Sequence, residues 1–237
     1  MANQTSIPWP KLFKGVLIKR YKRFLADIKL DNGEIITAHC ANSGRMTECN
    51  EPGSIVYLSY HNNPKRKLKY TWELIKMPTS LVGVNTNIPN LLVFNTIKDG
   101  NIPELTGYTE FMREKSVGKN SRIDIFLEKK RRKPCYVEVK NCTLVRGKTA
   151  SFPDAVTARG LKHLKELQEL KKTNNRCVMF YLVQRMDAEI FTPEYPIDPA
   201  YGNELKKAKQ NGVEIIVYDV NIDLKNISIN KKIPYKL

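Results

Sequence analysis

The chain has 237 residues, which is enough for one large domain or two small ones around a substantial core. Its 40 Lys and Arg residues outnumber 24 Asp and Glu residues, and the formal net charge of +16 favours a polyanionic partner, most often nucleic acid. Five cysteines without a Cys-x-x-Cys pair and three scattered histidines argue against a disulfide framework and a zinc site. Residues 1–14 lack the apolar core of a signal peptide and no apolar run reaches the length of a membrane span, so we expect a cytoplasmic protein.

Short β-like segments separated by turns occupy the chain from about residue 14 to about residue 75. The strongest turn is Asp31-Asn32-Gly33, and Pro52-Gly53 marks another. The predicted strands span residues 15–20, 24–30, 34–40, 54–60 and 70–75. Five short strands without a convincing helix predict a small barrel, and an OB-like barrel is the natural candidate.

The pattern changes after Met77-Pro78, where helices begin to alternate with strands. A helix is predicted at residues 89–98 and a second, capped by Asp154 or Thr157, extends to residue 172; a third covers Pro199–Gln210. Strands are predicted at residues 108–117, 123–127, 136–140, 177–184 and 213–220. This order predicts an α/β sandwich around a mixed sheet. We therefore expect one domain at residues 1–82 and a second at residues 83–237; the segment after residue 221 carries no prediction.

Two of the predicted strands carry charged residues where strands normally bury hydrophobic ones. Asp124 lies within residues 123–127, and Glu138 and Lys140 lie within residues 136–140. The very basic stretch between the two strands predicts a hairpin connection, and we expect its cations to face solvent.

Because side chains alternate along a strand, Glu138 and Lys140 project to one face while Val137 and Val139 pack on the other. If Asp124 faces the same way, two carboxylates and an ammonium share one cleft. Such a cleft can hold a divalent metal and activate water against a phosphodiester. The alternative is an edge hairpin whose charges simply face water, since Glu-x-Lys also recurs elsewhere in this lysine-rich chain.

Residues 19–24 mix cations with aromatic residues on a predicted barrel strand, as in proteins that follow a phosphate backbone and stack bases. Alternation would place Arg20 and Lys22 on one face and Arg23 on the other, so only part of the run can contact one ligand. Arg45 lies in a glycine-containing loop. Three further candidates open the long helix: Arg159, Lys162 and His163. These three could contact phosphate; otherwise they are helix surface, with His163 partly packed.

Several runs of the chain together resemble one known family. They are RYKRFLAD at residues 20–27, HCANSGRM at residues 39–46, SRID at residues 121–124, VEVKN at residues 137–141, FPDAVTARG at residues 152–160 and KHL at residues 162–164. In this order they resemble the sugar fermentation stimulation protein A family of bacteria and archaea, over nearly the whole chain.

The resemblance implies an N-terminal OB-like nucleic-acid-binding barrel and a C-terminal restriction-endonuclease-like, PD-(D/E)XK, mixed-sheet α/β/α domain. The family is described as DNA-binding, with a suggested role in regulating sugar metabolism genes. Its motifs map onto Asp124, Glu138 and Lys140, and Glu114 matches a further acidic position. Leu161 and Asn95 depart from the family pattern by replacing polar or acidic residues.

In the enzymatic interpretation, Asp124, Glu138 and the Val139 carbonyl bind Mg²⁺ or Mn²⁺ together with water. Lys140 would orient or deprotonate the attacking water, and Glu114 would hold that water or a second metal. Two alternatives remain open: a non-catalytic transcriptional regulator on a degenerate nuclease fold, with Glu138 and Lys140 as an ion pair, and an RNA-binding or RNA-processing protein. No helix-turn-helix is evident, so no sequence preference is predicted.

Overall fold

The computed structural model describes residues 5–117 and 121–237. In these residues the helices are α1 (Asn87–Lys98), α2 (Ala158–Lys172) and α3 (Pro199–Gln210), with one 3₁₀ turn at Pro103–Leu105. The first strands are β1 (Ser6–Pro8), β2 (Leu12–Tyr21), β3 (Leu25–Leu30), β4 (Ile35–His39), β5 (Ile55–Tyr60), β6 (Tyr70–Lys76), β7 (Leu81–Gly83) and β8 (Glu110–Val117). The remaining strands are β9 (Ser121–Glu128), β10 (Cys135–Cys142), β11 (Leu144–Arg146), β12 (Thr149–Phe152), β13 (Arg176–Val183), β14 (Ile190–Pro193), β15 (Glu214–Ile222) and β16 (Asn226–Lys232).

The N-terminal half forms the expected OB barrel. Its sheet runs in the order β4-β3-β2-β5-β6-β7, and a parallel bridge from β4 to β6 closes the five strands β2 to β6 into a barrel. Closure leaves few free strand edges, and the interior is filled by side chains such as Leu17, Ile28, Leu58 and Trp72. Gly33, with φ of 87°, makes the β3–β4 turn that the Asp-Asn-Gly sequence predicts.

The basic run at residues 19–24 forms a hairpin turn rather than a continuous strand. β2 ends at Tyr21, which pairs with Leu25, the first residue of β3. Lys22 and Arg23 lie between them with φ values of 48° and 62°, in the left-handed region. The expected alternation of side chains therefore ends at Tyr21, and the next two cations sit at the tip of the turn.

The C-terminal half forms the expected mixed sheet with helices on both faces. The sheet has the strand order β1-β16-β15-β13-β10-β9-β8, in which β13 runs parallel to both β10 and β15. Helix α1 packs on one face through Leu92 and Val93, against Val137 and Phe180. Helices α2 and α3 pack on the other face, where Leu164 is part of the core. The result is a three-layer sandwich that holds the β9–β10 hairpin between helices.

Several elements lie where the sequence predicts loops or nothing at all. The segment predicted as a loop at residues 144–153 contains β11 and β12, which form a small sheet with β14. β16 lies in the segment without a prediction and pairs with β1 near the start of the described chain. The expected boundary at residues 82 and 83 stays a prediction: β7 spans it, and β1 belongs to the larger sheet.

Helix α2 begins with one of its two predicted caps. Oγ1 of Thr157 accepts a hydrogen bond from the Gly160 N–H over 3.0 Å, which satisfies one donor of the first turn. Asp154 instead accepts the Met46 N–H over 2.9 Å, from a loop of the barrel. Asp154 therefore ties the two halves of the molecule together.

All five cysteines are buried and free. Among the described residues, no helix combines the length and the apolar character needed to cross a bilayer.

Candidate active site

Asp124 and Glu138 lie where the β9–β10 ladder stops. The last paired residues are Val137 and Ile125; along the chain, Glu138 directly follows Val137 and Asp124 directly precedes Ile125. Instead of continuing the ladder, the Val139 N–H donates to Oδ2 of Asp124 over 2.8 Å. Asn90 of α1 donates to Oδ1 over 2.8 Å. Both oxygens of Asp124 are thus held, one by the neighbouring strand and one by a helix.

The Glu138 carboxylate is 1% exposed and its two oxygens have different surroundings. Oε1 accepts from Nζ of Lys140 over 2.5 Å and also contacts Nδ1 of His163. The Lys140 Nζ and His163 Nδ1 atoms are 3.2 Å apart, so the three side chains form one cluster. Oε2 is buried and has no hydrogen-bond partner in the part of the chain that the structure describes. A buried carboxylate oxygen without a partner is costly, and a bound cation would satisfy it.

The two carboxyl groups are perturbed in opposite directions. Burial, reinforced by the charge of Glu138, raises the pKa of Asp124 to about 6, although the Val139 N–H and Lys140 oppose the increase. Burial also acts to raise the pKa of Glu138, but Lys140 and His163 outweigh it and leave the value below the usual one. At neutral pH both groups are ionised, and Asp124 takes up a proton under mildly acidic conditions.

A pocket of about 180 Å³ opens above these side chains. It is lined by Thr86, Asn90, Asp124, Glu138, Val139, Lys140, Asn141, Arg159 and His163. The structure thus brings Asp124, Glu138 and Lys140 to one pocket: alternation places Glu138 and Lys140 on one face of β10, and the Val139 N–H and Asn90 hold Asp124 beside them.

Glu114 lies outside this pocket. It is an exposed residue of β8 with φ of 56°. It lies opposite Asp124, at a position where the β8–β9 pairing is interrupted. Its negative charge contributes to the raised pKa of Asp124, so it lies near enough to be felt there. Its role toward a water or a second metal stays a prediction.

The three candidates on α2 are separated by the structure. His163 is buried and contacts Glu138, so it positions a carboxylate rather than facing solvent. Arg159 is exposed and lines the pocket. Lys162 is exposed and lies 3.6 Å from Glu166, one turn further along the helix.

The four candidates on the barrel line a second, larger cleft. Lys22, Arg23 and Arg45 are exposed there. Arg20 differs from them, because its guanidinium donates to the backbone carbonyls of Arg23, Asn42, Gly44 and Arg45 over 2.7–3.1 Å. Arg20 therefore holds the loop that carries Arg45, and its contact with phosphate stays a prediction.

Sequence reasoning missed two amides at the site. Asn90 holds Asp124, but nothing in the helical pattern of α1 distinguishes it from a surface residue. Asn141 follows Lys140 on β10 and accepts a hydrogen bond from the Gln184 side chain over 2.8 Å. Its place within the VEVKN run was the one signal that could have found it.

The donor set suits a hard divalent cation. Among the described residues, no three side chains of His, Cys, Asp or Glu converge in the way that a closed metal site requires. The available side-chain ligands are therefore the carboxylates of Asp124 and Glu138, and the Val139 carbonyl and water would supply the other oxygens. An oxygen-only set with few protein ligands is typical of Mg²⁺, which keeps several of its waters. Glu138 Oε2, which has no hydrogen-bond partner within residues 5–117 and 121–237, fits such a cation.

Comparison with known proteins finds matches to two family domains and to relatives of similar length. Residues 18–84 match the SfsA N-terminal OB domain, and residues 87–226 match the sugar fermentation stimulation protein RE domain. A sugar fermentation stimulation protein homolog of Geobacter sulfurreducens is 48% identical over 228 residues, covering 96% of this chain and 97% of the relative. A homolog from Paramagnetospirillum magneticum is 51% identical over 207 residues, covering 87% and 88%.

A solved structure shares the same architecture. SfsA of Pyrococcus furiosus, determined in complex with Ca²⁺, superposes with a TM-score of 0.89 and 26% sequence identity over 98% of each chain. The barrel topology, the helix-covered mixed sheet and the matched domains agree with one another. The chain belongs to the sugar fermentation stimulation protein family, with an OB barrel followed by a restriction-endonuclease-like domain.

Proposed function

We propose that this protein binds DNA and hydrolyses phosphodiester bonds with a divalent metal held by Asp124 and Glu138. The observation that carries the proposal is the buried Oε2 of Glu138, which has no hydrogen-bond partner among the described residues and lies in a pocket shared with the Asp124 carboxylate and the Lys140 ammonium. Three clustered ionisable groups are costly to keep in a folded protein unless a ligand compensates for them.

Asp124 and Glu138 would bind the metal, with the Val139 carbonyl and water as further ligands; we expect Mg²⁺ or Mn²⁺. When bound, such a cation polarises a phosphate oxygen and lowers the pKa of a bound water. The relative from Pyrococcus furiosus was solved with Ca²⁺, a cation that also prefers oxygen ligands.

The other side chains of the pocket have distinct tasks. Lys140 lies at the pocket surface within hydrogen-bonding distance of Glu138, where its ammonium can orient water or stabilise charge that develops on the phosphate. His163 and Asn90 hold the two carboxylates in place. Arg159 lines the same pocket and can pair with a phosphate oxygen.

Nucleic acid is the partner that the charge and the folds favour together. The net charge of +16 attracts a polyanion, and OB barrels commonly bind nucleic acid strands. The family name suggests a role in sugar metabolism, and we propose that the DNA binding serves to regulate sugar metabolism genes.

A non-catalytic regulator is the competing function, and one contact favours it. Nζ of Lys140 lies 2.5 Å from Oε1 of Glu138, so part of the buried charge is already compensated without a metal. A nuclease fold kept only for binding would retain such a pair.

A cleavage assay separates the two functions. The purified protein is incubated with duplex DNA, single-stranded DNA and RNA in Mg²⁺ or Mn²⁺, with the Asp124→Ala variant as control. The proposal expects metal-dependent products that the variant does not form. Calorimetric titration of Mg²⁺ into wild type and Glu138→Gln runs in parallel. DNA binding with neither products nor site-dependent heat would establish the regulator, and cleavage of RNA alone would assign the enzyme to RNA.

A further inference from the structure

A cleft of about 800 Å³ lies between the barrel and the C-terminal domain. The barrel contributes the β2–β3 turn and the loop at residues 42–45. The C-terminal domain contributes the end of β10 and the segment that leads from β12 into α2. The loop is fixed from both sides, since Arg20 donates to its carbonyls and Asp154 accepts the Met46 N–H next to it. The cleft is thus a built feature rather than a gap between loose parts.

This cleft continues into the candidate active site. Thr86 and Asn141 line both the large cleft and the pocket around Asp124 and Glu138. Helix α2 spans the same junction, because Thr157 lines the cleft and Arg159 lines the pocket. A ligand that fills the cleft therefore contacts residues that also line the pocket of the two carboxylates.

The two walls of the cleft differ in chemistry. Four cations, Arg20, Lys22, Arg23 and Arg45, line the barrel wall, and Asp154 is the one acidic residue among the described residues that line the cleft. Across from them, apolar side chains flank Asp154, and one of these residues, Val156, is 74% exposed. Cations along one wall suit phosphates, and apolar side chains along the other suit the faces of bases.

The size of the cleft selects the form of nucleic acid. The cleft has a volume of about 800 Å³, and a DNA duplex is wider than its own major groove, which is about 12 Å across. The cleft is therefore small for a whole duplex, whereas an unpaired strand needs less room.

We infer that the cleft binds an unpaired nucleic acid strand and leads it into the Asp124–Glu138 pocket, so that the substrate class is nucleic acid with a single-stranded segment beside the cleaved bond. The inference rests on the proposed function for the partner, and it adds the form of the substrate and the surface that selects it. Overhangs, flaps and free single strands meet this requirement, and blunt duplexes do not.

Binding in metal-free buffer tests the inference independently of catalysis. Fluorescence anisotropy compares a labelled single strand of about 12 nucleotides, within the usual site size of OB folds, with a blunt duplex of equal length. We expect the wild-type protein to bind the single strand at least tenfold more tightly.

Arg45→Ala and Lys130→Ala form the matched pair of variants, since each removes one exposed cation and Lys130 lies on the distant β9–β10 turn. For Arg45→Ala we expect several-fold weaker binding of the single strand and a salt slope reduced by about 0.7. Lys130→Ala should leave both unchanged. Val156→Glu, which places a negative charge in the cleft, should also weaken binding.

The inference is overturned if the blunt duplex binds as tightly as the single strand, or if Arg45→Ala and Lys130→Ala have equal effects. Such a result leaves metal-dependent cleavage untouched, because that is read from products. Conversely, strand preference with the expected Arg45→Ala effect supports the cleft even if no products form and the enzymatic proposal fails.

Discussion

The backbone N–H of Val139 donates to Oδ2 of Asp124 over 2.8 Å, so the strand that carries Glu138 and Lys140 also holds the carboxylate of the neighbouring strand. This bond takes the place of the ladder bond that would follow the Val137–Ile125 pair. The two acidic side chains are therefore placed relative to each other by backbone geometry, and a metal would meet a preorganised pair.

Substitution of Lys140 should reduce catalysis while leaving metal binding largely intact. Lys140→Met keeps the alkyl stem but removes the ammonium, so we expect Ca²⁺ affinity to be largely retained and cleavage to fall by about 10²–10⁴-fold. Asp124→Ala should lose both. Calorimetry and a cleavage assay measure the two effects, and full cleavage by Lys140→Met would remove this residue from the mechanism.

Cation affinity should decrease under mildly acidic conditions. Burial raises the pKa of Asp124 to about 6, whereas the pKa of Glu138 is lowered by Lys140 and His163 against the effect of burial. As the pH falls through the pKa of Asp124, the carboxyl takes up a proton that a cation must displace. Affinity should then fall toward tenfold per pH unit. Calorimetric titration of Ca²⁺ between about pH 5 and about pH 8 tests this expectation; a constant affinity over that range would contradict it.

Arg20 and Arg23 should respond differently to substitution, although both belong to the same basic run. Arg20→Ala leaves four backbone carbonyls without their donor, so we expect a loss of about 2 kcal/mol or more in the free energy of unfolding. Arg23→Asn suits the left-handed backbone there and should change stability by less than about 0.5 kcal/mol. The second variant should instead reduce the salt slope of single-strand binding by about 0.7. Urea unfolding and binding titrations measure both; equal stabilities would argue against the bracing role of Arg20.

Gly44 should tolerate no side chain while Asp154 is present. A Cβ built on Gly44 would overlap both carboxylate oxygens of Asp154, and one of them, Oδ2, accepts the nearby Met46 N–H. Gly44→Ala should therefore cost about 1–3 kcal/mol in the free energy of unfolding. Exposed Ser43→Ala is the control. In a double-mutant cycle, adding Asp154→Ala should cost less in the Gly44→Ala background than in wild type; strictly additive effects would show that the two residues do not meet.

Local signals in the sequence explain why much of the architecture was predictable. Pro199 at the start of α3 and Asp99-Gly100 after α1 mark helix ends through backbone preferences that need no tertiary partner. The alternation of Val137, Glu138, Val139 and Lys140 likewise predicted which face each side chain takes, and the structure confirms that Val137 and Val139 pack in the core. These features depend on neighbours a few residues apart.

Distant pairings were beyond the reach of the sequence. β1 pairs with β16 through residues more than two hundred positions apart, such as Ser6 and Ser228, and both strands are polar in part. Asn90 reaches Asp124 only because α1 packs on that sheet, and no spacing rule relates the two.

By itself, the sequence determined the basic character of the protein, its order of barrel and mixed sheet, and the strand face that carries Glu138 and Lys140. Composition, turn residues and alternation are local properties, and they act before any long-range contact forms. Tertiary structure decided that Arg20 braces a loop and that one buried oxygen of Glu138 finds no partner in the part of the chain that the structure describes. It also decided that a cationic cleft joins the two domains beside the carboxylates. Those outcomes depend on which backbone carbonyls, helices and loops fold against each side chain, and residue type alone does not specify them.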